Sequence, residues 1–286
     1  MNKTQAAGFS ILSNTFLIVS KVLVGLFTNS VSIISEAVHS IMDLLAAIIA
    51  FFSVKKSAEP ADDDHQYGHG KYEDFSGFAE GSLILIAAGY IIYEAVEKLL
   101  GGKIDYIDSI AGIVVMGLSV VVNILVSRNL FKVAKKTDSV ALFADGEHLR
   151  TDIYSSLAVF IGLLCIKFTG NTIYDPIIAI IVAIIIFFAG LRICESSRNN
   201  LLDASLSKCE NAQIQEVVSE YIGEEVISLK HMRTRKAGMK KNIELVLTVE
   251  KNMHISDAHE LCDIIENKIE EQLQNTDITI HLEPND

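Results

Sequence analysis

The hydrophobic residues of this chain are concentrated in long runs before about residue 200. A helix needs about 20 mostly apolar residues to cross the hydrocarbon core of a membrane. Six runs have that length, at 8–28, 31–54, 77–100, 107–130, 142–168 and 173–194. The second and fifth runs are the least apolar, because ionisable residues interrupt them. The pattern predicts an α-helical membrane protein whose domain of residues 1–202 contains six transmembrane helices.

Residues 203–286 carry a different pattern, in which short helical and strand-like segments alternate. Helical spacing covers 208–222, strand-like spacing covers 226–235 and 242–250, a second helix runs to about 273, and 277–283 reads as a last strand. We expect Gly238 to form the turn between the first two strands and Ser256 to cap the second helix. The order αββαβ predicts a small α+β domain, ferredoxin-like, with its helices on one face of a sheet.

Composition supports a membrane protein with an acidic soluble domain. Half of the 286 residues are hydrophobic and only 21% are charged. Of the net charge of −12, −8 falls in residues 203–286. An acidic domain argues against nucleic-acid binding, which needs a basic face, and suits a domain that works near cations. The four cysteines form no CxxC pair, so no disulfide framework is expected.

The lysines and arginines near the ends of the runs predict the orientation in the membrane. One side collects Lys3, Lys55, Lys56, Lys71, Arg128, Lys132, Lys135, Lys136, Arg192 and Arg198. The other side holds only Lys98, Lys103 and Lys167. We therefore expect a multi-pass protein of the cell (plasma) membrane with both termini in the cytoplasm. Lys21 lies well inside the first run, and we expect its side chain to snorkel to an interface.

The two least apolar runs carry the same polar motif. The second run holds His39 and Asp43, and the fifth holds His148 and Asp152, each pair four residues apart on one helical face. If the two helices face each other, two imidazoles and two carboxylates form a tetrahedral N₂O₂ shell, which suits Zn²⁺. The alternative is a buried polar network that locks the two helices together. Glu36 and Asp145 precede the two pairs and can instead lie near a mouth of the site.

A second candidate metal site lies in the connection between the second and third runs. Asp62, His65 and His69 follow one another at spacings of three and four residues, within the segment DDDHQYGHGK. One carboxylate and two imidazoles form a workable triad on a short turn. The alternative is a polar loop that happens to be rich in aspartate.

A third group of candidate ligands lies in the acidic domain. His281 and Glu283 point to one face of the last strand, because side chains alternate along a strand. His259 can reach them if its helix packs at the edge of the sheet, and His231 lies on the first strand. Together these residues indicate a cytoplasmic metal site, whereas His254 is expected to be an ordinary surface histidine.

The six predicted spans, the paired HxxxD motifs, the DDxHxxGHGK loop and the αββαβ domain together resemble the cation diffusion facilitators, which are proton-coupled exporters of divalent metals. The resemblance covers essentially the whole chain. It implies that the two HxxxD pairs form the transport site, that the loop triad binds metal, and that the protein is a homodimer. It also implies that Lys71 and Asp203 form an ion pair that interlocks the protomers, and that residues 203–286 have a metallochaperone-like fold. One departure is Val246, which stands where some members of the family have a further histidine ligand.

The expected function is therefore efflux of Zn²⁺ from the cytoplasm in exchange for protons, by alternating access. Cd²⁺, Fe²⁺, Co²⁺ and Mn²⁺ are further possible substrates, and Zn²⁺ is also the expected structural or regulatory ligand. Metal binding requires neutral imidazoles and ionised carboxylates, so loading of the site releases protons. The alternatives are a membrane-bound metal sensor that does not transport and an intramembrane metallohydrolase. No HExxH motif occurs, and a set of four ligands leaves no position for a catalytic water, so we expect a transporter and not an enzyme.

Overall fold

The computed structural model describes residues 2–28, 31–100, 110–169 and 174–285. The chain divides into two compact units, Met1–Arg198 and Asn199–Asp286, each with its own internal contacts.

Within the described residues, the first unit is built from six long helices. They are α1 Lys3–Thr28, α2 Val31–Ser57, α3 Lys71–Leu99, α4 Ile110–Thr137, α5 Val140–Thr169 and α6 Tyr174–Leu201. Four of them contain a stretch that is long and apolar enough to cross a membrane, namely Lys3–Val24, Lys71–Glu97, Gly117–Thr137 and Pro176–Leu201. These stretches belong to α1, α3, α4 and α6, whereas α2 and α5 carry the paired polar motifs. The count of six spans therefore stays a prediction.

The helix packing brings α2 and α5 into the same bundle. α1 packs against α2 and α4, α4 packs against α5, and α5 contacts both α2 and α3. Ala6 and Ala7 on α1 and Ala46, Ala47 and Ala50 on α2 are fully buried. Small side chains of this kind allow helix backbones to approach closely in a membrane. The two helices that carry the HxxxD motifs are therefore neighbours.

The second unit has the predicted αββαβ order. Its elements are α7 Lys208–Ser219, β1 Val226–Ala237, β2 Lys240–Val249, α8 Ile255–Gln272 and β3 Thr276–Pro284. The sheet order is β1-β2-β3, with β1 antiparallel and β3 parallel to β2. Ile243, Leu245, Leu247 and Val249 alternate along β2 and pack in a core with residues of α7 and α8, so both helices cover one face of the sheet. The turn at Gly238, which has a φ of 60°, joins β1 to β2 as expected.

One detail of this unit differs from expectation. The N-cap of α8 is His254 and not Ser256, because the Nδ1 atom of His254 accepts a hydrogen bond from the backbone N–H of Ser256 at 3.3 Å. An imidazole nitrogen here fills the role that serine, threonine or aspartate usually fills at a helix start. The prediction for Ser256 was wrong, and His254 has a structural use.

Candidate metal centres

The α5 half of the predicted transport site is buried within the bundle. The His148 side chain is 7% exposed and Asp152 is half-buried one turn further along the helix. The hydroxyl of Thr151 donates a hydrogen bond to the backbone carbonyl of His148 at 2.7 Å, so this hydroxyl is engaged with the helix backbone and not with the imidazole. An imidazole and a carboxylate in an apolar helix mark a functional position more often than a packing position.

The α2 half can be located only by its position in the helix. His39, Asp43 and the preceding Glu36 lie within α2, but their side chains are outside the described part of the chain. Because α2 contacts α5, the two HxxxD helices meet as the predicted four-ligand shell requires. The shell itself stays a prediction.

Two further carboxylates are buried near His148. Glu80 on α3 and Asp145 on α5 are both fully buried, and Glu80 is close enough to interact electrostatically with Asp145 and His148. One oxygen of Glu80 accepts a hydrogen bond from the hydroxyl of Ser76 at 3.3 Å. The other oxygen has no hydrogen-bond partner among the described residues. Glu80 was not among the predicted site residues, although an ionisable residue inside the third apolar run is the kind of signal that could have found it.

The loop between α2 and α3 brings its three predicted ligands together. One ligand atom each from Asp62, His65 and His69 forms a set in which all atoms lie within 4.8 Å of one another. The Nδ1 atom of His65 and the Nε2 atom of His69 each lie 3.4 Å from a different oxygen of Asp62. His69 is buried, whereas Asp62 and His65 are exposed, so an ion could enter from the solvent side.

Backbone hydrogen bonds shape this loop around Asp62. Its carboxylate accepts the backbone N–H groups of His65 at 2.6 Å and Asp64 at 3.1 Å. The hydrogen bond from His65 is the main reason that the pKa of Asp62 is lowered, with further help from the nearby imidazoles. Gly68 has a φ of 82°, which a residue with a Cβ rarely adopts, and this turn leads the chain directly into His69.

The buried histidine of the loop is oriented for metal binding. The Nδ1 atom of His69 lies 3.2 Å from the carbonyl of Pro60, to which its N–H can donate. That tautomer leaves the lone pair of Nε2 directed at the carboxylate of Asp62. Histidine ligands of metals are typically held in this way, with the second ring nitrogen donating to a carbonyl or a carboxylate.

The tail histidines on the sheet lie in one row. His231 on β1 is paired with Val246 on β2, which is paired in turn with His281 on β3. These three side chains therefore lie on the face of the sheet opposite the helices. Glu283 lies 3.9 Å from His281, and its carboxylate accepts a hydrogen bond from Lys230 at 2.6 Å. That hydrogen bond lowers the pKa of Glu283.

His259 is separated from the other predicted tail ligands. It lies on α8, 3.6 Å from Asp263, and lines a shallow groove together with Ile280 and Leu282. Ile280 and Leu282 face the helices, whereas side chains alternate along β3 and direct His281 to the other face. Across the described ranges, the loop triad is the only set of three or more potential ligands within 4.8 Å, so one chain does not assemble the predicted tail site.

The predicted interlock residues belong to different units. Lys71 is the first residue of α3. Asp203 follows α6 with a φ of 54°, and its carboxylate lies 3.3 Å from the guanidinium of Arg235. Asp203 therefore helps to attach the start of the second unit to β1, whatever further contact it makes in an assembly.

Comparison with known proteins identifies the family. Residues 8–202 match the cation efflux transmembrane domain, and residues 206–285 match the cytoplasmic domain of cation efflux proteins. The chain belongs to the cation efflux family. The first unit of this family member is thus a helical transmembrane domain, the second is its cytoplasmic domain, and the predicted resemblance to cation diffusion facilitators is confirmed.

Relatives in the family are similar over nearly the whole chain. An uncharacterized transporter of Synechocystis is 34% identical over 260 residues, which cover 90% of this chain and 82% of the relative. The cation-efflux pump FieF of Salmonella paratyphi A is 29% identical, over 94% of this chain and 88% of the pump. Among solved structures, the zinc form of CzrB is 28% identical over 28% of this chain and 91% of its own, with a TM-score of 0.27. As a member of the cation efflux family, the chain is a cation efflux transporter.

Proposed function

We propose that this protein exports Zn²⁺ from the cytoplasm in exchange for protons, as a homodimer in the plasma membrane. The observation that carries the proposal is the buried His148 and the half-buried Asp152 on α5, a helix in contact with the one that bears the matching residues His39 and Asp43. Two imidazoles and two carboxylates suit tetrahedral Zn²⁺ better than Mn²⁺, which prefers a shell of oxygen ligands.

Proton exchange follows from the chemistry of these ligands. A metal ion binds neutral imidazole and ionised carboxylate, so metal and protons compete for the same atoms. Histidine titrates near pH ~6.5 when unperturbed, which lies within the cellular range. We assign much of the exchanged proton to His39 and His148, and the neutralising charge to Asp43 and Asp152. A site that opens alternately to the two sides then uses the inward proton gradient to drive metal out.

The distribution of positive charge supports an orientation with both termini in the cytoplasm. In that orientation the loop triad of Asp62, His65 and His69 faces the cytoplasmic metal pool, where we assign it a second, regulatory metal. The tail residues His231, His259, His281 and Glu283 are then candidates for a weaker site, completed by the partner protomer or by a rearrangement. Lys71 and Asp203 are the candidates for the interlock between protomers.

The test is metal flux in proteoliposomes under an imposed pH gradient. Zn²⁺ and Mn²⁺ are run in parallel for the native protein, Asp152→Ala and His148→Ala. The matched control is Glu147→Gln, which removes a carboxylate from the same helix. Glu147 pairs with Arg150 at 2.9 Å and is not one of the proposed ligands. We expect proton-dependent Zn²⁺ movement that both site variants abolish and the control retains.

Three results would change the assignment. Transport of Mn²⁺ without transport of Zn²⁺ would support a metal transporter and contradict the assignment of Zn²⁺ from the ligand chemistry. Unchanged proton stoichiometry in His148→Ala would overturn the assignment of the proton to that imidazole. Metal binding without flux of any metal would favour a sensor.

A further inference from the structure

A lysine is buried in the first apolar helix. Lys21 lies in the second half of α1, which runs from Lys3 to Thr28, and is only 5% exposed. The expectation that it snorkels to an interface was therefore wrong. A charged group in an apolar helix is costly unless it contacts polar groups, and such residues usually face the interior of a bundle where they have a function.

The ammonium of Lys21 reaches the helix that carries half of the proposed transport site. Its Nζ atom donates a hydrogen bond of 2.7 Å to the hydroxyl of Ser40 on α2, and Ser40 is itself 4% exposed. Ser40 directly follows His39 and lies three residues before Asp43. Positions three apart share a helical face, with Cβ atoms about 5–6 Å apart. A fixed positive charge is thus held beside the turn of α2 that bears both proposed ligands.

A fixed cation beside a cation site weakens metal binding. A Zn²⁺ ion within about 10 Å of the ammonium is repelled, and the repulsion is strong because the buried site has a low effective dielectric constant. Weaker binding is useful to a transporter, since an ion must bind well enough to enter and weakly enough to leave. The hydrogen bond to Ser40 places the ammonium beside this turn of α2.

We propose that Lys21 is an affinity-setting residue of the transport site, which lowers the affinity for divalent metal and speeds its release. This inference rests on the proposed function, because it takes His39 and Asp43 as ligands. A purely structural role, in which Lys21 only joins α1 to α2, predicts the opposite sign. Damage to the bundle weakens metal binding, whereas removal of a repelling charge tightens it.

The test measures Zn²⁺ affinity at the transport site of the full-length protein in detergent. The background carries Asp62→Ala, His65→Ala and His69→Ala, so that the loop does not contribute. The transport-site signal is the difference between titrations with and without Asp152→Ala. Lys21→Met and Lys21→Gln remove the charge, Lys21→Arg retains it, and Ser40→Ala removes only the hydrogen-bond acceptor.

We expect the neutral variants to bind Zn²⁺ more tightly, by on the order of tenfold or more. In flux assays with the loop triad intact, the KM of the neutral variants should fall because Zn²⁺ binds more tightly. Their kcat should fall as well, because release of the ion becomes slower. Lys21→Arg should stay near the native affinity, and Ser40→Ala should change it less than the neutral variants do.

The proposal is overturned if both neutral variants, shown to be folded by gel filtration, bind Zn²⁺ as weakly as the native protein or more weakly. It is equally overturned if Lys21→Arg tightens binding as much as Lys21→Met. The failure of the proposed function has a separate signature. If Asp152→Ala leaves the Zn²⁺ titration unchanged in the background protein, the transport site itself is wrongly assigned.

Discussion

The ammonium of Lys3 lies 2.5 Å from the carboxylate of Glu73, and this ion pair joins the start of α1 to the first turn of α3. Glu73 is fully buried, and it also accepts hydrogen bonds from the hydroxyls of Ser57, at 2.8 Å, and Ser139. Residues of α1, α2 and α3 and Ser139, which directly precedes α5, therefore meet at one carboxylate. The loop triad ends only four residues before Glu73, so the predicted loop metal and this junction share one short stretch of backbone.

Substitution of Glu73 should destabilise the transmembrane unit. Glu73→Gln removes the negative charge that Lys3 contacts at this largely buried junction, and breaking such an ion pair should cost on the order of 3 kcal/mol. Lys3→Met together with Glu73→Gln should be less harmful than Glu73→Gln alone, because Lys3→Met removes the positive charge that Glu73 normally balances. Thermal unfolding in detergent measures the effect. Lys56→Ala, which breaks the exposed pair with Glu59, is the control and should change the midpoint little.

Metal binding by the loop should depend on pH through its histidines. The backbone N–H of His65 lowers the pKa of Asp62, so this carboxylate is held in the ionised form that binds metal. A histidine ligand must also be neutral to bind an ion, so the Zn²⁺ affinity of the loop should fall as the pH is lowered and protons compete with the metal. Calorimetric titration of the Asp152→Ala protein at several pH values tests this. Asp62→Asn should lower the affinity at every pH, and a loop affinity that does not change with pH would contradict histidine ligation.

Replacement of Glu80 by an amide should weaken Zn²⁺ binding, whereas replacement of Lys21 by a neutral residue should tighten it. Glu80 is buried and interacts with His148, and its carboxyl group can release a proton when a cation arrives nearby, whereas the amide of Glu80→Gln cannot, so the affinity for Zn²⁺ should fall several-fold. Ser76→Ala removes the hydroxyl that donates to Glu80 and keeps the carboxyl group, so it serves as the matched control. A Zn²⁺ affinity that is equal in Glu80→Gln and the native protein would show that this carboxylate has only a packing role.

Close packing between α3 and α6 should make Gly81 intolerant of a side chain. A Cβ at this position would lie 2.8 Å from the sulfur and 3.0 Å from the backbone nitrogen of Cys194. Gly81→Ala should therefore destabilise the protein by about 1–3 kcal/mol. Gly89 lies on the same helix, and none of the described residues comes within 4 Å of its Cβ position, so Gly89→Ala should be neutral or stabilising. Equal midpoints for the two variants in thermal unfolding would contradict the observed packing.

Periodicity was sufficient for the elements that depend on local pattern. The alternation along β2 and the helical spacing of α7 and α8 are set by which side chains face the core, and the structure confirms their order. The loop triad could also be predicted, because its spacing and Gly68 are local features. These elements require little information from distant parts of the chain.

Features that depend on distant packing could not be predicted from the sequence. In the sequence, Lys21, Glu73 and Glu80 are isolated ionisable residues. They are buried in the structure, and this burial depends on which helix packs against each of them. The tail site was predicted from His259 and His281 together, but the side of the sheet on which α8 packs separates these residues. The local sequence also does not determine the N-cap of α8, because the side chains of His254 and Ser256 can both accept the hydrogen bond of a cap.

The row formed by His231, Val246 and His281 also bears on how metal dependence can change during evolution. Neighbouring strands are about 4.8 Å apart, so the backbones of the two outer strands lie about 10 Å apart, and the aliphatic Val246 stands between the two imidazoles. A histidine at position 246 would stand beside each of them and complete a ladder of three imidazoles on a preformed sheet. One exchange of an aliphatic side chain therefore separates this sheet from one with a continuous row of three potential ligands. The domain can gain or lose such a row in a single mutational step without any change of fold.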